Sequence, residues 1–393
     1  MMADTAGYAR RTGGRKLKYY KLAGLVLAVI VILIAAASLF GGDRQYSDGE
    51  MRALQTFPKI TIDGFLSGQT GQEISAYASD QLAGRDSWIG LRTFVSQFFG
   101  QSVTAGVYRG TGGYLLPAVK EPYRGNTDRQ MEEITAFADR YPSVNQYMIL
   151  APTSTNVLYE KLPDGAPSFD EGTYREEIAS ALGGSVDFID VRKALLTHRT
   201  EYIYYKTDDH WTGLGAYYAF KEASDTMQLS ASLDNFEAMP VTNDFQGTLQ
   251  AASGYGSSTF DQINVYFYRD STLKTVTEYL PDGSRSASMF DSGALSKRNK
   301  YEVFFGGKNP LIHIETSADT GRRLLVFMDS EGSCFIPFLT PYFSEIMAVD
   351  PTCCQEDADR LMSEEEITDV LYLYDTASFS QDTALADFLE NGK

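Results

Sequence analysis

The longest uninterrupted apolar run in the chain is Leu22–Phe40, LAGLVLAVIVILIAAASLF, nineteen residues without a charge. As a helix rising ~1.5 Å per residue it would be roughly 28 Å long, close to the hydrocarbon thickness of a bilayer. Beyond it the periods are short. Gly71–Arg85 places Ile74, Tyr77, Ala78, Gln81 and Leu82 on one helical face, and a second helix is predicted from Asp86 through Trp88, Leu91, Phe94, Val95 and Phe98. From Gly106 the texture changes. Val107-Tyr108-Arg109, a turn at Gly110–Gly113 and Tyr114-Leu115-Leu116 predict a β-hairpin.

Strands and helices then alternate. A helix from Thr127 turns Met131, Ile134, Phe137, Ala138 and Tyr141 inward and is stopped near Pro142, and Tyr147–Ala151 is a short apolar strand. A helix over Phe169–Leu182, a strand over Val186–Asp190, a short helix over Arg192–His198 and a strand at Tyr202–Tyr205 follow. Thr212 is an acceptable N-cap for a helix carrying Leu214, Tyr217, Tyr218 and Lys221. Between Pro240 and Lys308 the pattern loosens, with Val265–Tyr268 and Tyr301–Phe305 reading as strands of an inserted antiparallel excursion. Arg322–Met328 is the strongest buried-strand signal and runs straight into Asp329-Ser330. Helices are predicted near Pro341–Met347 and Glu356–Met362, and a last strand over Val370–Tyr374. This alternation predicts an α/β fold, a largely parallel sheet with helices on both faces.

Charge divides the chain in two. Residues 1–42 carry six basic side chains and one acid, +5 in all, so of the total of −18 the remainder carries −23. The basic flank before the apolar run and the acidic residues after it (Asp43, Asp48, Glu50) put the amino terminus in the cytoplasm and the rest outside. A cleaved signal peptide is the alternative, with Ala35-Ala36-Ala37-Ser38 as its small-residue site. A surface of −23 repels phosphate backbones, which argues against nucleic acid as partner. Cys334, Cys353 and Cys354 make no disulfide framework and have no histidine at metal-ligand spacing, so they read as buried or partly buried thiols, with no metal site.

The polar elbow Asp208-Asp209-His210-Trp211, between Tyr202–Tyr205 and the helix from Thr212, holds one of only three histidines. Ligands gather at the carboxyl ends of strands in α/β folds, and a carboxylate beside an imidazole is half of a general-base device. Ser330 ends the strongest strand. A serine hydroxyl is a poor nucleophile until a base takes its proton, and the imidazole needs a carboxylate to fix its tautomer. Asp208, His210 and Ser330 supply that set, if Tyr202–Tyr205 is a parallel neighbour of the Ser330 strand. The alternative is a surface turn whose Asp209 caps the next helix, with Ser330 as a cap of its own. Gly247 and Asn309 are candidate oxyanion donors, or turn residues, and His313 alternates with Leu311, Ile312 and Ile314 as a strand residue.

The stretch Tyr204-YKTDDHWT-Gly213 resembles the signature of bacterial DHHW-motif proteins, and Asp329-Ser330 with Phe335-Ile336-Pro337-Phe338-Leu339 resembles their second signature. Further similarity lies in Glu50-Met51-Arg52 through Pro58, Gly84-Arg85-Asp86 and Ala151-Pro152-Thr153-Ser154, in the same order. Those proteins look related to the SGNH-hydrolase-like alginate O-acetylation proteins, whose Asp-x-His pair and downstream Asp-Ser form a Ser–His–Asp triad. Asp208, His210 and Trp211 match the first, third and fourth letters, and Asp209 departs from the second, which is the variable position of Asp-x-His.

The resemblance implies an SGNH-like sheet permuted so that Asp and His precede Ser. It implies a membrane-anchored O-acyltransferase (O-acetyl) or esterase acting on exported polysaccharide or cell-wall glycan, beside a multi-span membrane acyltransferase. No cofactor is expected. The resulting organisation is a basic cytoplasmic tail at 1–21, a transmembrane helix at 22–40, a tether and peripheral helices at 41–105, and an extracytoplasmic domain at 106–393 on the plasma membrane. A non-catalytic envelope protein binding glycan or a scaffold partner through its 25 tyrosines and 23 phenylalanines is the alternative.

Overall fold

The structure is a computed structural model that describes residues 4–390 except 48, 59, 61–68, 257, 271 and 281. It divides into two compact units, residues 1–92 and 93–393.

In the first unit the apolar run lies within one helix, α1 (Asp4–Phe40), which begins well inside the basic segment. Its part Tyr19–Ser38 has a mean hydropathy of 2.5, buries no residue, and is long and apolar enough to cross a membrane. Of the expected tether, residues 61–68, Gly64 among them, lie outside the described residues. Helices α2 (Gln69–Asp80) and α3 (Arg85–Phe98) follow, with α3 running on into the second unit. Between them Gly84 adopts φ 69°, the left-handed turn that ends one helix and frees the next. The Glu50 carboxylate receives Arg52 Nε at 3.0 Å and also Arg85, while Arg52 reaches Asp80 at 2.6 Å. Burial pushes Glu50 up, but the two guanidinium groups outweigh it and hold it below its usual value. The stretches around Glu50 and Arg85, far apart in sequence, thus meet through one ion-pair network.

The second unit opens with the predicted hairpin, β1 (Val107–Arg109) and β2 (Leu115–Pro117), antiparallel with Tyr108 opposite Leu116. Helix α4 (Arg124–Arg140) then leads into the main sheet. The sheet strands are β3 (Asn145–Ala151), β4 (Asp187–Phe188), β7 (Thr275–Leu280), β8 (Ser284–Ser286), β9 (Leu311–Thr316), β10 (Arg323–Met328), β11 (Glu345–Val349) and β12 (Asp369–Asp375). The numbers β5 (Phe236–Phe245) and β6 (Asp261–Tyr268) belong to a separate antiparallel ribbon. Sheet order is β8-β7-β9-β11-β10-β12-β3-β4. The five strands from β11 to β4 run parallel and the three at the other edge antiparallel, so the insertion extends the sheet as well as adding a ribbon.

Alternation along the strands sorts side chains to two faces. Tyr147, Ile149, Leu324, Val326, Leu371 and Leu373 pack under α6 (Gly213–Thr226) and the ribbon. Met148, Leu150, Leu325, Phe327, Val370 and Tyr372 pack under α4 and α5 (Glu171–Ala181) and the C-terminal helices. Helices therefore cover both faces, and the strands read as continuous apolar runs because neither face meets water.

Three predicted elements differ. The helix expected near Pro341–Met347 is strand β11, parallel to β10 with Leu324 opposite Ile346, because the run Ile346–Val349 is buried on both sides. Tyr301–Phe305 is largely a 3₁₀ turn (Lys300–Val303). Tyr202–Tyr205 is no sheet strand. It makes one isolated antiparallel bridge, Tyr204 with Trp211, as one side of a tight loop. Tyr204 and Tyr205 are buried, as a strand's rings would be, but the backbone pairs within the loop, Tyr205 N–H donating to the His210 carbonyl at 3.3 Å, and the residues just beyond are held by a side chain. The Lys206 and Thr207 N–H groups donate to the Asp261 carboxylate, both at 2.8 Å.

Candidate active site

Asp208, His210 and Ser330 come together even though the strand pairing that suggested it does not exist. Ser330 follows directly on β10, at the sheet's carboxyl edge, and is exposed. His210 reaches it from the loop, not from a neighbouring strand. Tyr205 N–H donates to the His210 carbonyl at 3.3 Å and Thr212 N–H to that of Ile203 at 2.9 Å, so the loop folds back on itself. Thr212 then caps α6, its hydroxyl accepting from Gly215 N–H.

His210 Nε2 lies 2.8 Å from Ser330 Oγ, and His210 Nδ1 lies 2.5 Å from Asp208 Oδ1. The second contact fixes the tautomer, leaving Nε2 as the atom that can take the hydroxyl proton. Asp208 is almost fully buried and every lone pair facing protein is used. Oδ1 also accepts His210 N–H at 3.2 Å, and Oδ2 accepts Thr248 N–H at 2.8 Å and faces the Thr248 hydroxyl at 3.1 Å. Burial pushes the Asp208 carboxyl up, but His210 and the Thr248 N–H outweigh it and hold it below its usual value. Burial pushes the His210 imidazole down, but Asp208 foremost, with Glu331 behind it, carries it well above the usual histidine value. Asp209 is half exposed; its Oδ1 accepts the Thr248 hydroxyl at 2.6 Å and lies 3.4 Å from His210 Nδ1, a weaker second carboxylate beside the Asp208 contact.

Neither oxyanion candidate is free in this arrangement. Gly247 N–H donates to Thr207 Oγ1 at 3.0 Å, and the Asn309 amide donates to the carbonyls of Phe305 and Gly307, both at 2.9 Å. Gly247 has a different necessity. A Cβ there would sit 2.1 Å from Asp208 Oδ2, so only glycine lets the Thr248 N–H approach the carboxylate. His313 lies on β9 as read, its Nε2 3.5 Å from Glu345. Cys334 is buried and Cys353 and Cys354 are half-buried, all as free thiols.

Several residues around the site escaped the sequence. The Asp261 carboxylate holds the loop through Lys206, Thr207 and the Tyr202 phenol, the last at 2.5 Å. Trp211 Nε1 donates to the Glu331 carbonyl at 3.1 Å, tying the Ser330 turn to the histidine loop, and the Tyr301 phenol donates to the Ser330 carbonyl at 3.2 Å. Below Ser330, the Asp329 carboxylate accepts Glu331 N–H at 2.9 Å and Asp375 N–H at 2.8 Å. Burial first and the facing Asp375 second push Asp329 up to about 7, and burial does the same to Asp375. Apart from the reach of Asp329 to the Glu331 N–H of its own turn, these contacts span 29 residues or more and have no local sequence signal. Asp208, Asp209 and His210 also offer three ligand atoms within 4.8 Å of one another, but the imidazole nitrogens are already committed to Asp208 and Ser330.

Residues 177–349 match the family model of the DHHW proteins. That stretch contains both halves of the site. A DHHW family protein from Eubacterium siraeum is 25% identical, aligns with a TM-score of 0.63, and is matched over 96% of its length and 74% of this chain. Bacillus cereus PatB1, in a structure with a sulfonyl adduct, is 19% identical and shares the fold at a TM-score of 0.57, over 96% of its length and 70% of this chain. The O-acetyltransferase domain of Pseudomonas putida AlgJ is 14% identical and aligns at 0.45, over 99% of its length and 73% of this chain. A comparison with curated proteins finds none that matches. The likeness recognised in the motifs is thus a DHHW likeness, and the mixed α/β architecture goes with it.

Proposed function

We propose that the second unit is a serine acyltransferase or esterase, with Ser330 as nucleophile, His210 as general base and acid, and Asp208 as the orienter of His210. The observation that carries this is the unbroken chain from the exposed Ser330 hydroxyl through His210 to buried Asp208, at 2.8 and 2.5 Å. Ser330 Oγ attacks an ester carbonyl as its proton passes to His210 Nε2, and the imidazolium forms against the Asp208 carboxylate. The tetrahedral intermediate collapses, the leaving alkoxide takes that proton, and an acyl-serine remains. A sugar hydroxyl then attacks the acyl carbon while His210 accepts its proton and returns it to Ser330 Oγ. Water in place of the sugar gives hydrolysis. The Ser330 N–H, which makes no hydrogen bond among the described residues, is the donor nearest the developing oxyanion. This replaces Gly247 and Asn309 in that role.

The acceptor class we assign is cell-envelope or exported polysaccharide, and the acyl group is acetyl. This rests on the DHHW likeness and on the resemblance of such proteins to the alginate O-acetylation proteins drawn from the motifs. We further place the domain outside the plasma membrane on an uncleaved Tyr19–Ser38 span, where a multi-span membrane acyltransferase would supply the acyl group. The chemistry itself calls on no coenzyme. Hydrolysis of a chromogenic acetyl ester, with loss in Ser330→Ala, tests the nucleophile. Covalent labelling by an aryl sulfonyl fluoride should fall on Ser330, and labelling elsewhere with full activity in Ser330→Ala would overturn the assignment. Amino-terminal sequencing of membrane-extracted protein tests the span, since a mature terminus near Ser38 to Gly42 means a released enzyme.

A further inference from the structure

Helix α3 (Arg85–Phe98) carries an apolar stripe that is exposed among the described residues. Trp88, Leu91, Phe94, Val95 and Phe98 are exposed, with Phe94 at 67% and Phe98 at 78%, and Phe99 just beyond at 75%. At about 100° per residue these five helix positions fall within an arc of roughly 120°. The opposite face is the anchored one. Thr93 is buried, and its hydroxyl donates to the Ser253 carbonyl at 2.5 Å. An exposed run of this kind needs an occupant.

We propose that the occupant is the lipid bilayer surface, so that α3 lies in the headgroup–acyl boundary as a second membrane contact besides the span. This rests on the anchored reading above. The first argument is reach. Only 46 residues separate Ser38, the end of the apolar span, from Arg85, so the stripe is tethered near whatever surface the span enters. The second is side-chain chemistry. Trp and Phe are the residues that settle at an interface, and the Trp88 indole N–H already donates to the Ala83 carbonyl at 3.2 Å, so the ring enters lipid without stranding a donor. The third is charge. Arg85, Arg92 and Asp86 give α3 a net +1, whereas the chain beyond residue 42 carries −23. The helix is thus a local exception that anionic headgroups do not repel. Insertion of such a face by ~5–10 Å is the ordinary depth of an interfacial helix.

The chain supplies its own probe. Trp88 and Trp211 are the only tryptophans, and Trp211 is fully buried. The full-length protein is reconstituted into phosphatidylethanolamine–phosphatidylglycerol vesicles whose acyl chains carry bromine either near the headgroup or near the terminus. A Trp88→Phe protein supplies the Trp211 background. The expected result is loss of Trp88 emission with the shallow bromines and less with the deep ones. Replacing Leu91, Phe94 and Phe98 together by Asp should abolish that loss while the protein still floats with the vesicles. Trp88 emission untouched by either bromolipid and quenched by aqueous iodide, in protein that floats with the vesicles, would overturn the inference and leave the stripe to a protein partner. Protein that fails to float would instead sink the anchored reading, and this inference with it.

Discussion

Tyr301 lies flat against His210, ring centroids 4.0 Å apart and planes within 18°, while its phenol donates to the Ser330 carbonyl at 3.2 Å. One side chain thereby touches the proposed base on its face and the proposed nucleophile on its backbone. The stacked ring holds the imidazole edge-on to Ser330 Oγ, and the phenol fixes the turn that presents that oxygen. Tyr301→Phe keeps the stack and loses a hydrogen bond worth about 0.5–1.5 kcal/mol, so ester turnover should fall roughly 2- to 10-fold. Tyr301→Leu loses the ring as well, worth a further ~0.5–1.5 kcal/mol, and should lower the apparent pKa of the rate profile. Equal kinetics in all three proteins would remove Tyr301 from the site.

The rate profile has a predictable limb. His210 must be neutral to accept the Ser330 proton, and its imidazole stands well above the usual value chiefly because Asp208 favours the charged form. Activity should therefore rise with pH to a midpoint above ~6.5, the value of a free imidazole. Asp208→Asn removes the charge that raises it, shifting the limb to lower pH, and costs turnover on the order of 10³- to 10⁴-fold by freeing the tautomer. A midpoint at or below the free-histidine value in the unaltered protein would contradict the Asp208–His210 contact.

Gly247 tests the support of Asp208 from behind. A methyl group at that position meets Asp208 Oδ2 at 2.1 Å and Asp208 Cβ at 2.2 Å, so either Asp208 or the backbone at Gly247–Thr248 must shift. Overpacking of this kind costs about 1–3 kcal/mol of stability. A displacement of the carboxylate by ~1 Å should cost about 10²-fold in turnover. Thermal melting and ester hydrolysis of Gly247→Ala measure the two effects, and an alanine tolerated in both would mean that Asp208 is held elsewhere.

Asp329 and Asp375 set the pH dependence of folding. Folded, each holds its proton up to about 7. Unfolded, an aspartate releases it near 3.9. The folded protein thus binds more protons than the unfolded one across that window, and stability falls as pH rises through it. His210, raised in the folded state, acts in the same sense, stabilising below ~6.5 and ceasing to as pH climbs through its folded value. Asp208 opposes only at the acid end, where its depressed carboxyl is finally protonated. Urea midpoints at about pH 5 and about pH 8 should decrease in that order, and Asp329→Asn should narrow the difference. A midpoint that climbs between them excludes proton uptake by this pair.

The sheet was legible wherever burial on two faces wrote an unbroken apolar run. Arg323–Met328, Asn145–Ala151 and Asp369–Asp375 are within one or two residues of where the pattern puts them, and so is the Ser330 that ends the first. Glu345–Val349 was not, because five residues of EIMAV serve a strand or a helix equally well by periodicity. Tyr202–Tyr205 misled for a related reason: Tyr204 and Tyr205 are buried by packing, whereas the segment's backbone pairs with the far side of its own loop, Tyr205 with His210 and Ile203 with Thr212, rather than with the sheet. Asp208, His210 and Ser330 were readable as a set because they sit in short motifs. Thr248, Gly247 in its real role, and Tyr301 were not, since each acts only through a contact made by folding.

Trp211, Thr248 and Asp261 clasp the loop that carries the base, while the nucleophile's turn is locked from below by Asp375, near the end of the chain. A polypeptide is made from its amino terminus, so the His210 loop emerges long before Ser330, and β12, which fastens the Ser330 turn, emerges later still. The nascent domain stays chemically silent until all but its final helices exist. On the proposed function, ester cleavage would be a readout of completed folding, and a chain stalled anywhere before β12 should be unable to acylate itself.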